Sequence, residues 1–330
     1  MVEPSPSHTE TAHAPRPSRM GDLTQYFGLL GVLIAMCILF GMLSNHFLSV
    51  ASFSTIANQI PALAVMAVGM TFVLIIGGID LSVGSVLAFS GAVMSVAIIQ
   101  WGWPLPAAIV LALITGTVCG TVTGLISVTL RIPAFIVSLG MLEMARGGAY
   151  LATGSRTEYI GGNISLLTDP LIGKISPAFL LAVVVVICGH ILLTRTVIGR
   201  QLIGIGTNEE AMRLAGINTH IPKIAVFMLM GFLAAMGALF QVARMEAADP
   251  NAGVGMELSV IAAVVIGGTS LMGGRGSVLA SFFGVLIIAV LEAGLAQIGA
   301  SEPTKRIITG VVIIIAVIFD MYRTRKAKKS

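Results

Sequence analysis

Residues 206–217 read Gly-Thr-Asn-Glu-Glu-Ala-Met-Arg-Leu-Ala-Gly-Ile. Thr207 and Glu210 stand at capping-box spacing, Glu209 and Arg213 stand four apart for an ion pair, and Gly216 falls where a helix would end. With Asn208 among them, these residues encode a short helix of about two turns, a length that is marginal by itself in water. The chemistry open to it is recognition. Such an element is expected to dock, either on a partner or on its own bundle.

Other ionisable groups stand alone in apolar surroundings. Between Asp22 and Arg131 the only Asp, Glu, Lys or Arg is Asp80, and an ionised carboxylate at a bilayer centre costs about 2.5–3.5 kcal/mol on insertion scales. Asp80 or Ser82 is expected to cap a helix start near the membrane interface; the other reading is a group that lines or gates a path. Glu143 and Arg146, three residues apart, can pair on one helix face, and Glu292 is similarly immersed. Clamps between helices are expected there rather than solute ligands. Asn58 and Gln59 have the side chains to hydrogen-bond a polyhydroxy solute, or to serve as polar glue between helices.

The usual catalytic sets are missing. None of the six lysines lies in a Gly-x-x-x-x-Gly-Lys-Ser/Thr frame, so the chain cannot bind ATP in that manner by itself. No His-Glu-x-x-His, Gly-x-Ser-x-Gly or Cys-x-x-Cys occurs, and the five histidines are scattered. Cys37, Cys119 and Cys188 fall inside apolar runs and read as packing residues. No catalytic residue, metal site or cofactor is expected, and an intramembrane enzyme is disfavoured.

The elements that position these groups follow from composition. The 330 residues are 56% hydrophobic and 10% charged, with a mean hydropathy of +0.98, far from the roughly 25% charge of a globular chain. The chain belongs in lipid. Candidate spans are 25–44, 57–77, 82–101, 104–129, 132–152, 177–194, 221–243, 257–272, 276–298 and 303–322, each near the ~20 residues that cross a ~30 Å core. Residues 1–22 read as a disordered tail, 23–322 as the transmembrane domain with its longest inner connection at 195–220, and 323–330 as a basic tail. That tail argues for a cytoplasmic membrane flank and against a nucleic-acid partner for the net charge of +4.

An even number of spans puts both termini on one side, which the basic carboxyl end assigns to the cytoplasm. Thirteen basic residues then lie on inner segments against five on outer ones. Pro104, Pro133, Pro177, Pro222 and Pro303 mark helix starts, and only Pro61 lies within a run. Gly116, Gly120 and Gly124 form a small-residue ridge suited to a tight helix seam. The segments Ile76-Gly77-Gly78…Gly84–Ala88 and Ile266-Gly267-Gly268…Gly276–Ala280 look like copies of one repeat, and a broken or re-entrant helix is open at 77–82.

Ala67–Thr71 running into Gly78–Ser85, the loop Gly206–Ile217, and Gly255–Leu258 leading to Ile261–Leu271 resemble the membrane permeases of bacterial ABC-type monosaccharide importers, most closely their ribose-type members. The resemblance covers residues 25–322. It implies an all-α polytopic bundle of about ten helices with the type II importer architecture, in the bacterial inner membrane with both termini cytoplasmic. It further implies a permease homodimer, sugar delivered by a periplasmic binding protein, and a separate ABC ATPase subunit. In that picture residues 206–217 match the coupling helix that seats in the ATPase. The chain departs from the pattern in residues 1–22 and in the outer loop 154–176, which bears on docking of the binding protein. The competing class is an ion-coupled secondary transporter of a small polar solute, with Asp80 as coupling residue.

Overall fold

A computed structural model describes residues 19–169 and 174–327. Among them lie thirteen α-helices: α1 (Arg19–Leu43), α2 (Val50–Gln59), α3 (Pro61–Ile75), α4 (Val83–Ile99), α5 (Leu105–Thr129), α6 (Ala134–Thr153), α7 (Pro177–Arg195), α8 (Val197–Thr207), α9 (Glu209–Leu214), α10 (His220–Met245), α11 (Met256–Ile266), α12 (Val278–Gln297) and α13 (Glu302–Ala327). Two short strands, β1 (Glu158–Tyr159) and β2 (Ala247–Ala248), pair antiparallel.

Five helices, α1, α5, α7, α10 and α12, are long and apolar enough to cross a membrane. α2 and α3 together make a sixth such unit, bent by 48° at Pro61, whose missing N–H is harmless at the first position of α3 but stops α2 from continuing straight. The other four predicted segments fall on α4, α6, α11 and α13. Two boundaries need correction. The second span begins at Val50 and not at 57, and the eighth, expected over 257–272, is an 11-residue helix. At ~1.5 Å per residue α11 covers about half the bilayer core. Of the two expected tails, 1–18 and 328–330 lie outside the described residues, whereas 19–22 already belong to α1 and 323–327 to α13.

The packing follows the glycines and the apolar faces. Every residue of α3 is buried, as expected of a helix that is apolar all round, and α10 packs against α3, α4 and α5. The predicted ridge on α5 is the seam: a methyl at Gly116 would stand 2.4 Å from the Gly231 carbonyl, and one at Gly120 would stand 2.2 Å from that of Phe227. Exposed aliphatic side chains such as Ile34, Val184 and Ile314 lie on the peripheral helices α1, α7 and α13, where lipid is their solvent.

Two interruptions break the bundle, at 76–82 and 267–277. Both helices that enter them end alike. Gly77 and Gly78 donate to Leu74 and Val73 (2.9 and 2.9 Å), and Gly268 and Thr269 donate to Val265 and Val264 (2.7 and 3.2 Å), a left-handed glycine closing each α-helix. The match pairs Gly77 with Gly268, one residue out of step with the alignment read from sequence. The helix after each break also starts differently: Ser277 caps α12 through its side chain, while its sequence counterpart Ser85 already lies inside α4.

The interruptions meet each other. Gly274 N–H donates to Ile75 O at 2.8 Å, and α8 crosses there, so close that a methyl added at Gly206 would stand 1.7 Å from that carbonyl. Gln25 and Tyr26 at the start of α1 bond to Gly267 and Ser277 on the same side (2.6 and 2.9 Å). The first helix therefore begins on the face that carries α8 and α9. At the opposite face, Gln297 at the end of α12 bonds to Ser52 of α2 at 2.7 Å.

Candidate functional site

The predicted short helix exists, over Glu209–Leu214, and is sealed at both ends. Asn208 is its N-cap, the side chain accepting from Ala211 N–H at 2.9 Å. Thr207 is instead the last residue of α8, donating back to Ile203 O at 2.8 Å, so the expected capping box does not form. At the other end Gly216 and Ile217 donate to Arg213 and Met212 (2.9 and 3.1 Å) with Gly216 at φ +79°, the expected glycine terminus.

The charges pair differently from the i, i+4 expectation. Arg213 bonds to Glu210, three residues away, at 2.8 Å. Glu209 turns inward, where Thr219 Oγ1 donates to it at 2.9 Å and Lys223 Nζ at 3.0 Å. Partial burial pushes the Glu209 carboxyl up, but the bonds from Lys223 and Thr219 outweigh this and hold it below its ordinary value. Met212 packs over Gly204 of α8. No residue of α9 is buried, and Leu214 is 82% exposed. Met272, in the interruption that packs against α8, is 84% exposed. One side of α9 thus anchors to the bundle while the other is displayed.

The remaining predicted residues separate into three places. Asp80 is 2% exposed inside the first interruption, where its Oδ1 accepts from the Ser82 amide (2.9 Å) and hydroxyl (2.6 Å). It thus organises the turn into α4, and Ser82, the N-cap residue, makes no side-chain capping bond. Arg146 does not pair with Glu143. Its Nη1 donates to the carbonyls of Pro250 and Ala252 (2.5 and 2.9 Å), which clamps the segment before α11 to α6. The loop carbonyls outcompete the carboxylate because the 250–252 segment folds back over α6, where Tyr150 also donates to Asn251 Oδ1 at 2.6 Å.

Asn58 and Gln59 also part company. Asn58 donates to Lys174 O (3.1 Å) and accepts from Ser176 N–H (3.0 Å), fixing the approach to α7. Gln59 lines a cavity of about 700 Å³ formed by the ends of α2, α11, α12 and α13. Glu292, Glu302, Lys305 and Arg306 line the same cavity. Glu292, expected as a clamp between helices, bonds to no other described residue; of the cavity's polar residues only Gln59 carries an expectation of solute contact, and the cluster Glu302-Pro-Thr-Lys-Arg306 ahead of the last apolar run is the signal for the rest.

A family described as "branched-chain amino acid transport system / permease component" matches residues 52–317. The chain belongs to this permease family. The permease is 38% identical over 296 residues to the ribose import permease protein of Haemophilus influenzae, covering 88% of this chain and 91% of the relative. It is 37% identical to the ribose import permease protein of Escherichia coli K12 (94% and 98% covered) and 33% identical to the L-arabinose ABC transporter permease protein of Azospirillum brasilense (99% and 96%). No solved structure matches it. The permease is a helical multi-pass membrane protein and a transport subunit.

Proposed function

We propose that this permease is the membrane subunit of an ATP-driven importer for a ribose-type monosaccharide in the bacterial inner membrane. The observation that carries the reading is α9: a six-residue helix capped at both ends and anchored by Glu209, yet with none of its residues buried. So much local encoding for a helix that its own bundle leaves uncovered supports a docking partner. A separate ATPase subunit fits that role, with α9 as the coupling element and both termini on the ATPase side. The names of the relatives support a sugar as the solute. A homodimer and a periplasmic binding protein complete the assembly.

Reconstitution into proteoliposomes with the ATPase and a sugar-loaded binding protein tests this. D-ribose uptake is expected to require all three components and ATP. Uptake driven by an ion gradient without ATPase or binding protein would reject the importer. A Leu214→Cys variant is expected to crosslink to the ATPase and to resist an impermeant thiol reagent applied from outside.

A further inference from the structure

The cavity at the face opposite α9 draws together Glu292, Glu302, Lys305 and Arg306 in a chain that is only 10% charged. Two acids and two bases leave its field close to neutral, and Lys305 is already bonded to Glu302 at 2.7 Å. Ser52, Gln59 and Ser259 add donors and acceptors, and Ile56, Ala293 and Ala296 supply an aliphatic wall.

Glu292 differs from its neighbours. It lies on a membrane-crossing helix, five residues before the end of α12 at Gln297, and its side chain is exposed to the cavity. Among the described residues, no hydrogen bond or ion pair reaches its carboxylate. A carboxyl group without a protein partner is strongly disfavoured against hydrocarbon, which favours a polar occupant of this space. A carboxyl group beside amides and hydroxyls, with aliphatic groups opposite, suits a ring that offers hydroxyls on its rim and C–H groups on its faces.

We propose that this cavity is a binding site for an uncharged monosaccharide on the receptor side of the membrane, with Glu292 accepting hydrogen bonds from the sugar hydroxyls. The inference rests on the importer reading and adds to it the place and chemistry of solute contact. The balanced charge disfavours sugar phosphates, which would need an excess of cations.

Two measurements test it. A Glu292→Cys variant, in a background carrying Cys37→Ala, Cys119→Ala and Cys188→Ala, is exposed to an impermeant maleimide in proteoliposomes. Labelling is expected from the receptor side, slowed by D-ribose and not by L-leucine. Secondly, Glu292→Leu, purified as an intact complex with the ATPase, is expected to lower ATP- and receptor-dependent D-ribose uptake about tenfold, the upper end for one hydrogen bond. A Glu292→Cys protein that stays unlabelled, protection by L-leucine alone, or wild-type uptake by Glu292→Leu overturns the site while leaving the importer standing. Failure of the unaltered permease to take up D-ribose with ATPase and receptor overturns the importer and this site together.

Discussion

Glu209 on α9 and Lys223 in the first turn of α10 are bonded at 3.0 Å across fourteen residues of sequence. This pair, with the Thr219 hydroxyl, ties the exposed helix to the element packed against α3, α4 and α5.

Neutralising either partner is therefore expected to loosen α9. The Lys223 and Glu209 side chains are 24% and 38% exposed, so Glu209→Gln or Lys223→Met should each cost about 1 kcal/mol, the upper end for a pair in contact with water. The doubly reversed Glu209→Lys/Lys223→Glu protein should recover part of the loss. A double-mutant cycle on the affinity for the ATPase reads this out, and strictly additive single effects would sink the tether.

The pH response has a definite sign. Folding holds the Glu209 carboxyl below its ordinary value of 4.5, so its bonds add stability above that pH and lose it as pH falls through the lowered folded-state value. Anchoring of α9, followed by the anisotropy of a fluorophore on Leu214→Cys, should be flat through neutrality and weaken only in acid. Glu209→Gln should abolish the acid step. A step near neutrality would assign control of α9 to a different group.

Two glycines should respond oppositely to the same methyl. At Gly206 an added carbon would lie 1.7 Å from Ile75 O and 2.5 Å from Gly274 N, both backbone, whereas nothing lies within 4 Å at Gly140 of α6. Gly206→Ala is expected to destabilise by about 2–3 kcal/mol, since backbone must shift. Gly140→Ala should be neutral or stabilise by about 0.5–1 kcal/mol through helix propensity. Thermal loss of monodisperse protein in detergent compares them, and equal midpoints would contradict the packing at α8.

At Arg146 and Glu143 the structure separates two residues that sequence spacing joins. Arg146→Ala leaves the Pro250 and Ala252 carbonyls without their donor and should cost about 1.5–3 kcal/mol. Glu143→Ala should cost under about 0.5 kcal/mol. Protease sensitivity of the 247–255 segment should rise for the first substitution only, and matching effects would restore the Glu143–Arg146 pair.

What could be read from sequence was whatever is encoded locally. Prolines marked the starts of α5, α6 and α7, Gly216 marked the end of α9, and the glycines of α5 marked a seam. Errors arose where distant groups compete for one partner. Glu209 had Arg213 within reach on its own helix but bonds to Lys223, which the turn at 215–219 folds back beside it. Arg146 had Glu143 nearby but meets carbonyls a hundred residues on. The cavity was illegible for the same reason: it lies among the ends of helices that are not all consecutive, so no window of sequence contains it. Pro61, the one proline that looked misplaced within a span, was the visible mark of the 48° bend.

Because Gly206 rests on the bond between Gly274 and Ile75, α8 and the two interruptions meet at a single point. Three separate stretches of the chain therefore share one bare backbone crossing, and a side chain added at Gly206 or Gly274 would disturb all of them.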